Sequence, residues 1–232
     1  MAKAAHLDHQ NRARLRACRQ ILKIVNGLRK RHSALVHEEL KRDGDGDIIE
    51  GLLDKGVKTA NAILVLVRRN YPEDALILAR SLAGLAIDIA YLSAKDRERF
   101  ISYRAVGREA RRRMAEQTGK KPPDADAPDW QEVKERARRW QQGGAIKQRA
   151  EKSDRLAIYE WAYRHGSSFE HSDAWSLMTY DPVNKWARRV VLNQALIITV
   201  HAIACAADSW TKFFGVEDLD AETKIKAYFD QW

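Results

Sequence analysis

The sequence predicts an all-α protein, a single multi-helix bundle of about six to eight helices, and three observations carry that prediction. Apolar residues recur at three- and four-residue spacings along most of the chain. No segment shows convincing period-two alternation, and there is no internal repeat. One stretch, "DALILARSLAGLAIDIAYL", is apolar nearly all round, as the central helix of a bundle is. The expected organisation is one domain over residues 1–232, with a long N-terminal helix at 7–41, a bundle core at 48–118 and 153–213, and a polar loop at 119–129.

The first helix follows from Leu15, Cys18, Leu22, Val25, His32, Leu35, Val36 and Leu40, which repeat at helical spacing with Lys and Arg between them. "RDGDGD" (42–47) ends it. A second helix runs from Ile48 to Arg69 with Ile49, Leu52, Leu53, Val57, Ala60, Ile63, Leu64 and Val67 inward. "NYPED" (70–74) then signals a start, because Pro72 suits a first helical turn and Glu73 and Asp74 complement its dipole. The apolar helix follows, and after it "DRERFISYRAVGREARRRMAEQTG" (96–119) reads as a fourth helix, basic in its second half. "KKPPDADAPD" (120–129) is a proline-rich polar break. A short helix at 130–141 ends at Gly143 and Gly144, and Ser153 is expected to cap a helix that begins near Asp154 and enters "YRHGSSFEHS" (163–172). Beyond "TYDPVN", a long helix at 184–213 places Trp186, Val190, Val191, Leu196, Ile197, Val200, Ile203 and Trp210 inward. Gly215 ends it, and a last helix covers 218–230.

The chain has 232 residues, with 45% hydrophobic and 31% charged residues, a globular composition. No uninterrupted apolar run reaches the roughly 18 residues of a membrane span, and "MAKAAHLDHQ" lacks the apolar core of a signal peptide. The expectation is a cytoplasmic protein with no membrane partner. Cys18 and Cys205 fall on apolar helix faces, as buried free thiols of a reducing compartment do. A formal net charge of +9 makes nucleic acid the obvious acidic partner, with an arginine-rich soluble surface as the other explanation.

Metal chemistry finds little support. "DGDGDIIEGLLD" opens like a calcium loop with Asp43, Asp45 and Asp47, but Ile48 stands where that loop needs glycine and Asp54 where it needs a bidentate glutamate. The histidines at 6, 9, 32, 37, 165, 171 and 201 lack the paired spacing of a zinc helix. No metal and no cofactor are expected.

Three constellations remain. On the apolar helix, Arg80, Gly84, Ile87 and Tyr91 form one stripe, with Ser81 and Asp88 beside it. Glycine in a helix interior suggests a close approach, and a buried arginine needs a partner, either in a core polar network or on the floor of a cleft. On the fourth helix, Arg104, Arg108 and Arg111 share a face, joined by Arg112, Arg113, Lys120 and Lys121. They could follow a phosphate backbone or be a solvated face paired with Glu98, Glu109 and Glu116. In "YRHGSSFEHS", Arg164, Ser168 and His171 stand at i, i+4 and i+7, spanning roughly 10 Å of helix axis. A phosphate between them would take charge-assisted hydrogen bonds from the guanidinium while His171 exchanged a proton with a ribose hydroxyl. Equally, Gly166, Ser167 and Ser168 could fray a helix end whose loose backbone groups His171 and Ser172 satisfy.

"ALILARSLAGLAIDIAYL" together with "YRHGSSFEHSDA" resembles a widespread bacterial all-α family described only as a domain of unknown function. Its members pair an arginine-serine-leucine-x-glutamate helix with a tyrosine-arginine-x-x-serine-serine-x-x-histidine segment. These map onto Arg80, Ser81 and Leu82, and onto Tyr163, Arg164, Ser167, Ser168 and His171; the family's glutamate is Gly84 here, with Asp88 one turn later. The second segment also resembles the signature of the HEPN superfamily, an arginine and a histidine separated by four to six residues. That resemblance implies a homodimer acting on RNA as a metal-independent endoribonuclease of a toxin or phage-defence system, with an antitoxin or other protein partner possible. It implies Arg164 and His171 as catalytic residues; with the spacing and charge readings above, the expected site is Arg164, Ser168 and His171, supported by Arg80, Asp88 and Tyr163, with Arg104, Arg108, Arg111 and Arg112 as nucleic-acid contacts. The alternative is a non-catalytic helical module that binds nucleic acid or a protein.

Overall fold

A computed structural model describes residues 7–40, 44–121, 129–142, 145–163 and 184–230. Among them every regular element is helical: α1 (His9–Arg31), α2 (Ser33–Leu40), α3 (Asp45–Arg69), α4 (Pro72–Leu92), α5 (Arg97–Gln117), α6 (Trp130–Gln141), α7 (Ala145–Lys152), α8 (Leu156–Ile158), a π-helical turn (Tyr159–Tyr163), α9 (Lys185–Phe214) and α10 (Leu219–Asp230). The described residues thus hold ten α-helices, which corrects the expected six to eight. Two local causes account for the excess. The backbone leaves helical geometry at His32 (φ −103°, ψ 17°), splitting the N-terminal helix in two. And Ala145–Lys152, built from good helix formers, makes a helix of its own that buries Arg149 and Ala150.

Ser153 does not cap the following helix. Its hydroxyl donates back to the Arg149 carbonyl at 2.7 Å and closes α7, while Asp154 takes a left-handed φ of +57° to turn the chain. Other boundaries fall close to expectation. Pro72 sits in the first turn of α4 with Glu73 and Asp74, Asp96 caps α5 through the Glu98 N–H at 3.0 Å, and Gly215 ends α9 at φ +63°. The aspartates of the calcium-like stretch open α3 instead: Asp45 and Asp47 occupy its first turn, where they complement the dipole.

At the centre α4 lies along α9, with α3 packed on both and α1 on the other side of α9; α10 closes against α9 and α1. All the α3 positions read as inward are buried, from Ile49 to Val67. Gly56 permits the α3–α4 approach: a Cβ there would stand 3.2 Å from Leu85 Cδ2 and 3.5 Å from Leu82 Cδ1. Two inward expectations fail. Leu35 is 44% exposed because the break at His32 rotates α2 out of the register of α1, and Trp186 is 64% exposed because the buried face of α9 begins one residue later, at Ala187. By length and composition α4 and α9 could each cross a membrane, which qualifies the reading that no stretch is apolar enough. Yet 67% and 72% of their apolar windows are buried inside the fold, as core helices are. Both cysteines are free and buried.

The end of α1 and the start of α10 are joined through Asp218. Its carboxylate accepts from the Ala221 N–H at 3.0 Å, capping α10, and from Arg31 at 2.6 Å, with the His32 ring 3.3 Å away. That backbone hydrogen bond, and then Arg31 and His32, hold its pKa down to about 2. An unfolded aspartate titrates near ~4, so this stabilisation is complete above that value and is lost as pH falls from there toward about 2. Asp218→Asn, whose amide oxygen can keep the cap, is expected to flatten the acid limb of stability in that window and to lower neutral-pH stability by about 1 kcal/mol through loss of the ion pair with Arg31. Urea unfolding followed across pH 2–6 checks it.

Candidate nucleic-acid interface

Helix α4 carries the first constellation. Leu82 is fully buried, Ser81 is exposed with its hydroxyl bonded to the Ile77 carbonyl at 3.2 Å, and Arg80 is half-buried. Arg80 and Asp88 are eight residues apart on one helix, about 12 Å along its axis, too far to pair with each other. Asp88 pairs instead with Arg149 of α7, whose Nε donates to Asp88 Oδ1 at 2.7 Å. Nη1 of the same guanidinium donates to the Trp140 carbonyl at 2.8 Å, and its plane lies 4.4 Å over the Trp140 ring. Burial raises the Asp88 carboxyl above its ordinary value despite the opposing pull of Arg149. Arg149 and Trp140 went unread in the sequence; the one available signal was that a carboxylate on so apolar a helix requires a cation.

The basic face of α5 is real as a face but is heavily engaged. Arg104 pairs with Asp45 of α3 at 2.5 Å. Arg108 pairs with Asp129 at 2.9 Å and stands 5.9 Å over the Trp130 ring, so it pins the start of α6. Arg112 reaches Glu109 at 3.1 Å and also pairs with Glu116, and it lies 5.3 Å over Trp130. Arg112 and Arg113 together hold the Glu109 carboxyl below its usual range. Arg111 is exposed. To contact a phosphate backbone, three of these four arginines would exchange a carboxylate for a phosphate, a swap that conserves charge-assisted bonds.

The third constellation, Arg164, Ser168 and His171, lies outside the described residues. The approach to it is described. After the short α8 the chain widens into a π-helical turn, Tyr159–Tyr163, a form that recurs at functional sites. That turn packs on α4 and α7, with Ala162 buried in the core. Its last residue, Tyr163, is the first of the tyrosine-arginine segment, so the element leading into the second motif rests on the helix carrying the first. Beside the turn, Trp161 meets His201 of α9 edge-on at 5.9 Å, and burial lowers the basicity of that imidazole. The same side opens into a cavity of about 770 Å³ between α8, α9 and α10, where Arg155 donates to Cys205 Sγ at 2.9 Å and to Asp208 at 2.7 Å. Among the described residues no group of three or more His, Cys, Asp or Glu is placed to hold a metal ion.

Residues 46–182 match the model of a protein family described as a family of unknown function (DUF5677). No curated protein and no solved structure matches the chain.

Proposed function

The chain belongs to the DUF5677 family, a family of unknown function, and we propose that it is an RNA-binding helical protein that cleaves RNA in the manner of HEPN-like endoribonucleases, without a metal. The observation that carries the proposal is the packing of the Tyr159–Tyr163 turn on α4, which sets the chain at Tyr163, where the second motif begins, beside the helix that bears the first. The matched region spans both motifs, and the net charge of +9 suits a polyanionic substrate. In this reading Arg164 holds a non-bridging phosphate oxygen and Ser168 donates a second hydrogen bond. His171 takes the proton of the ribose 2′-hydroxyl, the 2′-oxygen bonds to phosphorus, and the bond from phosphorus to the 5′-oxygen breaks. The products are a 2′,3′-cyclic phosphate and a 5′-hydroxyl, whose proton comes from the histidinium or from water. Arg80 and Asp88 support the site from α4, and Arg104, Arg108, Arg111 and Arg112 contact neighbouring phosphates. A homodimer would bring two such segments to one groove.

The expected result is that His171→Ala and Arg164→Ala each lower cleavage of single-stranded RNA by about 100-fold or more, with thermal unfolding unchanged. Cleavage should persist in chelator and leave cyclic-phosphate ends. RNA binding without cleavage by the unaltered protein would instead establish a non-catalytic nucleic-acid module, and equal loss of stability in both variants would make the pair structural.

A further inference from the structure

The C-terminal end of α4, the start of α5, and helices α6 and α7 enclose a polar cleft of about 400 Å³. Five cations line it, Arg99, Arg136, Arg139, Arg149 and Lys152, with two carboxylates, Asp96 and Glu98; Arg99 pairs with Asp96 at 3.3 Å, and Asp88, Glu132 and Glu135, which lie outside the lining, pair with Arg149, Arg136 and Arg139. Arg99 and Arg149 are held there by the same pair of devices. Arg99 donates to the Tyr91 carbonyl at 2.7 Å and lies 4.1 Å over the Tyr91 ring; Arg149 does the same with the carbonyl and ring of Trp140. The two aromatic rings meet edge to face at 5.8 Å, so the clamps brace each other. A guanidinium fixed by a carbonyl and an aromatic face has given up most of its rotamer freedom before any ligand arrives. Arg136 is steadied between Glu98 and Glu132. At the mouth Arg139 and Lys152 are exposed, and Arg139 stands 3.6 Å from Glu135.

We propose that this cleft binds a compact phosphorylated small molecule carrying two or more negative charges. The wall of the cleft carries more cations than carboxylates, a polyanion would take over bonds that Asp96, Glu98 and Glu135 now make, and phosphate oxygens match the fork of arginine donors. Enclosure by four helices and a volume within the small-molecule range favour a compact ligand over a continuous nucleic-acid backbone. The mouth residues Arg139 and Lys152 close on the charged group, and Arg99 and Arg149 form the rigid floor. None of these residues belongs to the Arg164, Ser168 and His171 segment, so the site stands apart from the RNA-cleavage reading.

Calorimetric titration of the full chain with inorganic pyrophosphate at low salt tests it. Saturable binding is expected, weakening as salt is added. Arg139→Gln combined with Lys152→Gln should reduce affinity about tenfold or more and leave thermal unfolding unchanged, since both side chains are exposed. Arg138→Gln, 66% exposed on α6 and outside the cleft, should change nothing. Absence of saturable binding, or an equal loss in Arg138→Gln, overturns the assignment. So does a single-stranded oligoribonucleotide that displaces pyrophosphate and itself loses affinity in the double variant, because the cleft would then be a track for backbone phosphates.

Discussion

Asp88→Ala is expected to destabilise the protein by about 3–5 kcal/mol, the cost of leaving a buried cation without its counter-charge. The stranded group is Arg149, whose side chain is only 10% exposed. Its bond to the Trp140 carbonyl and its stacking on that ring persist, but neither neutralises it. The damage should spread, because α7 is held to α4 by this ion pair and the π-helical turn packs on both helices. Replacing both partners with apolar residues, Asp88→Leu with Arg149→Met, should recover most of the loss, since two buried charges and their desolvation disappear together. Denaturant unfolding of the two single variants and the double variant measures the coupling. A single-variant loss under 1 kcal/mol would show that solvent reaches Arg149 freely.

Trp210→Ala should cost about as much, roughly 3–5 kcal/mol, through the cavity left by a large ring. Trp210 is fully buried on α9, its ring 5.1 Å from Phe214, and its indole N–H donates to Glu50 Oε2 at 2.7 Å. Glu50 also receives Arg29 of α1, Nε to Oε1 at 2.8 Å. One tryptophan therefore anchors a polar link joining α9, α3 and α1. Trp210→Phe keeps most of the volume and deletes the donor, and Arg29 still satisfies Glu50, so its cost should be near ~1 kcal/mol. Equilibrium unfolding followed by far-ultraviolet circular dichroism separates the two contributions.

What could be read from the sequence divides along a physical line. Helix α4 was legible because its apolar character is continuous and Pro72, Glu73 and Asp74 mark its start, features that act within one turn. The inward face of α3 was legible for the same reason. The break at His32 was not, since apolar spacing continues through it and the residues that hold the break, Arg31 and His32, reach for Asp218, 187 and 186 positions away. The basic face of α5 could be placed on one side of a helix, but its carboxylate partners Asp45 and Asp129 come from other elements. Arg149 was invisible because its partner lies 61 residues upstream. The π-helical turn depends on packing against α4 that no local pattern encodes. Arg164, Ser168 and His171 were legible only as a motif, and they lie outside the described residues.

The burial of the two native thiols has a practical consequence. Cys18 donates to the Leu196 carbonyl within the core, Cys205 sits beneath Arg155, and burial pushes the pKa of both thiols above its usual value. A buried, protonated thiol is a poor nucleophile, so the unaltered chain is nearly silent to maleimide reagents. A single cysteine placed at an exposed position such as Met114, 68% accessible, becomes the one attachment point for a fluorophore or spin label. The molecule therefore comes ready for spectroscopic distance measurement, between two copies or between the protein and a labelled RNA, with no prior removal of its own cysteines.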